Sequence, residues 1–182
     1  MALMFGALLT NQRRSEGDLL MTDPSLLRLY KHMAWANHSV FTQLSELPEQ
    51  ALSYSAWNPE WTVGAVANHI VMSQPRLLAR LKKEAAPTET AFPLTSDGMK
   101  ALAAQSLKND EAFLNWIDKP EEMLTFVRYG ETVSFLNTTI VAQTVNHGIE
   151  HRAQIADILA INKMDVINLD ALDPISYERA SR

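Results

Sequence analysis

The chain has 182 residues, of which 47% are hydrophobic and 20% charged, proportions typical of one ordinary globular domain rather than a disordered chain. A formal net charge of −5 disfavours binding to nucleic acid, and no run of lysine or arginine is long enough to form a basic stripe. The absence of cysteine excludes disulfides, cysteine-ligated zinc and a cysteine nucleophile, so any bound metal must use nitrogen and oxygen ligands.

The first 22 residues contain a short apolar stretch that is followed, rather than preceded, by Arg13 and Arg14. That order is wrong for a secretory signal, and no later stretch is long and apolar enough to cross a bilayer. We therefore expect a cytoplasmic protein without a membrane-spanning segment. We interpret residues 1–22 as a flexible leader, or an upstream extension ahead of Met21, and residues 23–182 as a single helical domain.

Two amphipathic helices are predicted in the first half of the chain, because apolar residues recur there at spacings of three and four. The first helix begins at Asp23-Pro24 and ends before Pro48. The second begins after Thr62, and Pro75 is expected to kink it. The recurring residues are Leu26, Tyr30, Met33, Asn37, Val40, Leu44 and Leu47 in the first helix, then Val63, Val66, Ile70, Leu77 and Leu81 in the second.

Two further helices are predicted in the second half, separated by an extended segment. The third begins at about Asp97 and ends before Pro120, and residues 123–135 are rich in β-branched and aromatic types, which indicates a short β-hairpin. The last helix runs from near Asn137 to about Ile161, and the tail after it is expected to be loop or a short turn. The inward residues are Met99, Leu102, Leu107, Phe113 and Ile117, then Ile140, Val141, Thr144, Ile155, Ile158 and Leu159.

Four amphipathic helices must bury their apolar stripes on one another. The economical solution is an all-α four-helix bundle with one long crossover connection and a short hairpin before the last helix. Inward histidines on these helices are therefore candidates for a site inside the bundle.

His147 and His151 are four residues apart on the last helix, so their side chains are only about 40° apart around its axis. Two imidazoles one turn apart can reach a common ion at about 2.0–2.1 Å without bending the helix. Ile140 and Ile155 lie on the same side, so both rings are expected to point into the bundle. Each buried ring needs partners for two nitrogens, and a shared metal satisfies one nitrogen on each.

On the second helix, His69 lies on the shoulder of the apolar stripe and can face the same cavity. A lone histidine there is more often an ordinary core or boundary residue, but the inward pair favours a third metal ligand. The sequence therefore predicts one divalent metal ion on His69, His147 and His151. His32 and His38 differ by about 120° in orientation on the first helix, so we interpret both as surface or structural residues.

The segment from His147 to His151 also matches the H-x-x-E-H pattern of the inverzincin peptidases. That pattern requires a carboxylate ligand well downstream, and the glutamate that follows His151 is Glu178, in the irregular tail. Glu150 points away from His147, which favours a solvated position over a catalytic one. A peptidase is therefore the weaker interpretation of the motif.

Three stretches of the chain resemble a known family: YKHMAWANHSVFTQLSELP, WTVGAVANHIV and, above all, VNHGIEHRAQIADIL. They are similar to the DinB-like (damage-inducible) family of metal-binding four-helix bundles, which is related to the mycothiol-dependent maleylpyruvate isomerases. The resemblance spans about residues 25–178, and it implies that His69, His147 and His151 are the ligands, with water or substrate at the remaining positions. Gln143 stands where many relatives have a further histidine, which leaves any additional role at that position open.

Three neutral imidazoles leave the double charge of a divalent ion uncompensated and at least one coordination position open, as in catalytic sites. Such an ion acidifies a bound water toward a pKa of about 7, or holds a low-molecular-weight thiol as its thiolate. The resemblance implies the second, since characterised relatives are metal-dependent transferases that use bacillithiol, mycothiol or glutathione. We therefore expect a thiol S-transferase that acts on a small electrophile.

Two alternatives stay open at this stage. One is a hydrolase that uses metal-bound water, and the other is a non-catalytic bundle in which the ion only ties two helices together. An open metal position that faces a solvent-connected cavity would favour an enzyme. Zinc and nickel both suit imidazole ligands, so the sequence does not select between them.

Three residues near the second helix are candidates for the wall of a substrate pocket. Trp57, Trp61 and Arg76 could form a pocket mouth and an anion contact, although such tryptophans more often pack and such arginines are more often solvated. The family resemblance also implies a homodimer.

Overall fold

The computed structural model describes residues 23–182, apart from Glu89, Tyr129 and the side chain of Arg128. The regular elements of this part are α1 (Pro24–Glu46), α2 (Val63–Lys82), α3 (Ser96–Leu114), β1 (Met123–Arg128), β2 (Glu131–Leu136), α4 (Asn137–Ile161) and α5 (Pro174–Ala180). Short 3-10 helices, Glu49–Ser53 and Leu169–Leu172, follow α1 and precede α5. The leader predicted for residues 1–22 lies outside the described residues, and the single domain over residues 23–182 stays a prediction.

The first two helices begin at the capping residues that the sequence indicates. The side chain of Asp23 accepts a hydrogen bond of 2.8 Å from the N–H of Ser25, and that of Thr62 accepts one of 3.2 Å from the N–H of Ala65. Each cap satisfies a backbone donor that has no partner inside the helix. The α2 helix continues without interruption through Pro75 to Lys82. The kink at Pro75 stays a prediction.

The helices pack mainly in two pairs, α1 against α3 and α2 against α4. The fully buried large side chains lie in the interior between them, and each such side chain contributes about 1.5–3 kcal/mol to folding. They include Tyr30, Met33, Phe41, Leu44, Ile70, Leu81, Met99, Leu102, Phe113, Ile155 and Ile158. The helical bundle predicted from the sequence is confirmed. None of the helices in the described part has the length and apolar character needed to span a bilayer.

The predicted hairpin is also confirmed, and it lies against the ends of α2 and α4. Its strands are antiparallel, with Met123 opposite Leu136 at the base. The buried side chain of Asn137 holds this base in place, because its oxygen accepts from the N–H of Glu122 at 3.0 Å and its amide donates to the carbonyl of Pro120 at 2.8 Å. The chain therefore enters α4 with the hairpin fixed beside its first turns.

Two sequence predictions were wrong. The tail is not a loop or short turn but contains the seven-residue helix α5, which packs on α1. It begins at a second Asp-Pro cap, where Asp173 accepts a hydrogen bond of 2.6 Å from the N–H of Ser176. Leu107 is not inward but 40% exposed, because the buried face of α3 runs through the polar residues Ser106 and Asp110.

Candidate metal centre

Packing of α2 against α4 brings three imidazoles together. His147 and His151 project from consecutive turns of α4 with ring centroids 4.3 Å apart, and the ring centroid of His69 lies 4.8 Å from each. One ring nitrogen from each residue lies within 4.8 Å of those of the other two. The structure therefore assembles the three residues that the sequence singled out, and their role as metal ligands stays a prediction.

The spacing of the ring nitrogens fits a metal ion. A tetrahedral ion with bonds of about 2.0–2.1 Å places its ligand nitrogens about 3.3 Å apart. The Nε2 atoms of His69 and His147 are 3.0 Å apart, close to that value, and a ring nitrogen of His151 lies within 4.8 Å of a ring nitrogen on each of them. Three imidazole nitrogens form a donor set that zinc or nickel accepts. The cluster could therefore hold a divalent ion.

Hydrogen bonds to Gln154 determine which nitrogen of His151 carries the proton. The indole N–H of Trp61 can only donate, so the Gln154 side-chain atom 3.0 Å from it is the amide oxygen. The same oxygen lies 2.7 Å from Nδ1 of His151 and must accept from it as well. The proton of the ring in its neutral form is therefore on Nδ1, and Nε2 then keeps a lone pair for a metal.

A hydroxyl orients the ring of His147 in the same sense. The hydroxyl of Ser73 donates its one proton to the carbonyl of Ile70 at 2.8 Å. Its oxygen, 3.5 Å from Nδ1 of His147, can then only accept from that ring. The neutral ring of His147 thus also carries its proton on Nδ1 and turns Nε2 toward His69.

The surroundings keep two of the imidazoles uncharged. The pKa of His147 is lowered to about 4, mainly by burial and to a smaller extent by the nearby rings of His151 and His69. Burial is also the main cause of the lowered pKa of His69, followed by the charges of His151 and Arg76. Because only a neutral imidazole offers a lone pair, these shifts favour metal binding at neutral pH.

The cluster forms one wall of a cavity of about 520 Å³. That volume is typical of sites for small molecules. The lining residues are His69, Ser73, Arg76, Leu77, Arg80, Phe126, Phe135, Thr139, Ile140, Gln143, His147 and His151. An ion on the three histidines would therefore have a coordination position directed toward a space of ligand size.

The structure separates the three residues proposed for a pocket wall. Trp57 is 57% exposed and does not line the cavity, whereas Arg76 does. Trp61 contacts the imidazoles from another side, with its ring centroid 5.0 Å from that of His69 and 5.7 Å from that of His151. Trp61 is thus a support for the cluster rather than a pocket mouth.

The remaining histidines and acidic residues singled out by the sequence lie outside the cluster. His32 is buried against the tail with Nε2 2.7 Å from the carbonyl of Leu172, a structural position, and His38 is half-buried on α1. Glu150 is exposed, as expected. Glu178 pairs with Arg28 at 2.9 Å, so it is not a ligand of the peptidase type.

Several residues around the site were given no role from the sequence. Gln154 lies three residues after His151, and this helical spacing could have indicated the contact between them. Arg80, Phe126 and Phe135 reach the cavity because the hairpin lies against α2. The position of a hairpin on a bundle depends on long-range packing, which residue spacing does not report.

A helical bundle with three converging histidines beside a ligand-sized cavity defines a class of candidate metal-binding proteins. The family model described as "DinB family" matches residues 21–161, and the chain belongs to this family. The crystal structure of a DinB-like protein from Bacillus cereus ATCC 10987 is similar, with a TM-score of 0.61 and 20% identity over 82% of this chain and 99% of that chain. A structural similarity at 20% sequence identity shows that the two proteins share a fold, and nothing about function follows from it. A comparison with curated proteins found no match.

Proposed function

We propose that this protein is a metal-dependent transferase that joins a low-molecular-weight thiol to a small electrophile at the centre formed by His69, His147 and His151. The observation that supports the proposal is that all three imidazoles line the cavity, so a coordination position would be accessible to a ligand. A divalent ion held there would lower the pKa of a coordinated thiol and keep it as thiolate, a strong nucleophile at neutral pH.

The protein's own residues would fix the geometry of the reaction. Gln154 and Ser73 orient the rings of His151 and His147, so that the nitrogens facing the centre carry lone pairs. In the transfer, the thiol sulfur forms a bond to the electrophilic carbon and the leaving group departs with the electron pair of the bond that breaks. The thiol proton passes to solvent.

Two other functions use the same site. A hydrolase would activate water in place of a thiol, and the same cavity would accept its substrate. In a purely structural site, the ion would only link α2 to α4. Structural zinc sites are normally closed by four protein ligands. Three histidines beside a cavity therefore favour a site with an exchangeable ligand.

Metal content provides the first test. We expect elemental analysis of the purified full chain to find about one zinc or nickel ion per chain, and the His147→Ala variant to lose it. His38→Ala is the matched control, because it removes a histidine that lies outside the cluster. Equal metal content in wild type and the His147→Ala variant would contradict the proposed centre.

Turnover provides the second test. The metal-loaded protein is incubated with bacillithiol, mycothiol or glutathione and a panel of electrophiles, and loss of free thiol is followed. We expect consumption by wild type and by His38→Ala but not by His147→Ala. Ester hydrolysis without thiol consumption would instead assign the site to a hydrolase, and metal binding without either reaction would assign it a structural role.

We further propose that the protein acts as a homodimer in the cytoplasm. The dimer, but not the location, is supported by the family resemblance of the sequence. Sedimentation velocity of the full chain should give a species of twice the chain mass, whereas a monomer at all working concentrations would contradict it.

A further inference from the structure

The hairpin turns an apolar face toward the bundle. Side chains alternate between the two faces of a strand, so Leu124 and Phe126 of β1 share a face with Phe135 of β2, which pairs directly with Leu124. Leu124 is buried in the core, and Phe126 packs against the core. Phe135 is nevertheless 37% exposed. One ring of this inward face is therefore left uncovered by the bundle.

The uncovered ring lines the cavity that contains the three imidazoles. Phe126 also lines it, with its ring centroid 5.9 Å from that of Phe135 and the two planes tilted by 40°, and α2 contributes the half-buried Leu77. Single exposed apolar side chains are ordinary on a protein surface. These three instead share a concave space of about 520 Å³ with the histidines. Phe126, Phe135 and Leu77 form the aromatic wall of the cavity.

The two rings of the aromatic wall differ in how firmly they are held. The guanidinium carbon of Arg80 lies 4.8 Å from the ring centroid of Phe126, a cation–π contact that adds to the packing of this ring on the core. Phe135 is the more exposed of the two. Substitution of Phe135 should therefore change the cavity at little cost to folding.

The aromatic wall and the histidine cluster lie at different positions along α4. Thr139, Gln143, His147 and His151 line the cavity at four-residue intervals, which places them on one side of the helix. With a rise of about 1.5 Å per residue, His147 lies about 12 Å along the axis from Thr139. The hairpin ends at Leu136, directly before α4 begins. A small molecule can therefore place its reactive end at the histidines while an apolar group extends toward the hairpin.

We propose that the cavity binds an electrophile with an aromatic ring, which packs against Phe126 and Phe135 while the electrophilic carbon lies at the histidine cluster. The proposal rests on the proposed function for the reaction at the histidines, and it adds the chemical class of the substrate. Aromatic rings in offset or edge-to-face arrangements attract each other beyond the effect of buried apolar area. Bacillithiol, mycothiol and glutathione contain no aromatic ring, so the ring belongs to the electrophile.

Unreactive probes test the aromatic wall directly. N-(2-phenylethyl)acetamide is compared with N-(2-cyclohexylethyl)acetamide, which has the same chain and number of carbons but no aromatic ring, by NMR titration of the full chain. We expect the phenyl probe to bind about 2–10-fold more tightly and to shift the amide signals of the hairpin. Phe135→Leu should remove most of this preference, and Phe135→Tyr should keep it. Val127→Ala is the matched control, because Val127 lies on the opposite face of the hairpin, outside the cavity lining.

Equal affinity for the two probes would overturn the proposal, as would a preference that survives Phe126→Leu combined with Phe135→Leu. Circular dichroism of each variant establishes that the helices are retained. A second copy of the chain is the other candidate for covering Phe135, so the mass of Phe135→Leu is compared with that of wild type by sedimentation velocity. We expect equal masses. Dissociation of the variant would assign Phe135 to a contact between copies and overturn the proposal.

Reactive forms of the same probes test whether the ring belongs to the electrophile. In 2-chloro-N-(2-phenylethyl)acetamide and its cyclohexyl counterpart, the thiol sulfur forms a bond to the chlorinated carbon, chloride leaves with the electron pair of the C–Cl bond, and the thiol proton passes to solvent. We expect faster thiol consumption with the phenyl compound by the same factor, and equal rates would overturn the assignment. A binding preference for the unreactive phenyl probe without any thiol consumption would support the aromatic wall and contradict the transferase.

Discussion

Arg152 donates a hydrogen bond of 2.6 Å to the side-chain oxygen of Asn37, and both side chains are buried. The bond joins α4 to α1 immediately after His151 in the chain. Burial lowers the pKa of Arg152 to about 10, while the charge of Asp110 opposes that change. The histidine cluster therefore lies next to a buried polar group, the guanidinium of Arg152, whose hydrogen bond depends on the side-chain oxygen of Asn37.

Removal of the acceptor should weaken the fold. In Asn37→Leu, the buried guanidinium of Arg152 loses a charge-assisted hydrogen bond without access to water. We expect the free energy of unfolding to fall by about 2–3 kcal/mol, measured by urea denaturation. Asn146→Ala is the control, because Asn146 is exposed on α4 and should change stability little. Equal effects of the two substitutions would contradict the importance of the buried bond.

The stability of the protein should fall as the pH rises toward neutrality because of Asp110. Burial raises the pKa of this carboxyl from 3.8 to about 7, although hydrogen bonds from Gln74 and Ser106 act in the opposite direction. The folded state therefore binds this proton more tightly than the unfolded state. Its stabilising contribution is complete below pH 3.8 and is lost as the pH passes through about 7.

The Asp110→Asn variant isolates this effect, because asparagine keeps the side-chain shape without a titrating proton. We expect the free energy of unfolding of wild type to fall relative to the variant between pH 5 and pH 8, with a slope of at most about 1.4 kcal/mol for each step of one in pH. Urea denaturation at the two pH values measures the difference. A parallel change in both proteins would show that another group causes the pH dependence.

Gln154 should control metal affinity through His151. In Gln154→Leu, Nδ1 of His151 loses its acceptor, so the ring can turn or adopt the other tautomer. We expect zinc affinity to fall by about 10–100-fold, measured by competition with a chelating dye. Gln154→Glu keeps an acceptor for both His151 and Trp61 and should retain the affinity. If leucine and glutamate at this position gave equal affinity, the orienting role would be excluded.

Gly148 should resist substitution although it lies inside a helix. A Cβ at this position would lie 3.1 Å from Nη1 of Arg152 and 3.3 Å from Oδ1 of Asn37, the two atoms of the buried hydrogen bond. Alanine gains about 1 kcal/mol of helix propensity over glycine. We expect the displaced hydrogen bond to outweigh this gain, so Gly148→Ala lowers the thermal midpoint.

A double-mutant cycle identifies the cause of that loss. In an Asn37→Ala background, the crowding atom Oδ1 is absent, so Gly148→Ala should be less destabilising than in wild type. If Gly148→Ala were equally destabilising in both backgrounds, contact with Oδ1 of Asn37 would not be the cause of the loss.

The features that followed from local geometry were predictable from the sequence. Helix starts at Asp23 and Thr62 follow from capping chemistry, and the orientation of His147 and His151 follows from their four-residue spacing. The convergence of His69 needed one more assumption, that α2 lies beside α4, and the bundle satisfies it.

The features that depend on long-range packing were not predictable in this way. The pattern of apolar residues placed Leu107 in the core, because such a pattern treats polar residues as exposed. In the structure, Ser106 and Asp110 are buried and hydrogen-bonded to each other, and Leu107 is exposed instead. The contact of Arg80 with Phe126 joins residues 46 positions apart and depends on where the hairpin docks. By contrast, α5 could have been predicted, because its Asp-Pro start repeats the signal that begins α1.

His69 and His147 are separated by 78 positions in the chain. Coordination of one ion by both residues would close a loop that contains all of α3 and the hairpin. A covalent cross-link over such a loop would stabilise a protein by about 4–5 kcal/mol, because it restricts the unfolded chain. In a chain without cysteine, a metal ion bound by both residues would act as a reversible cross-link, as a disulfide does in other proteins. Removal of the ion would open a loop that comprises nearly half of the sequence.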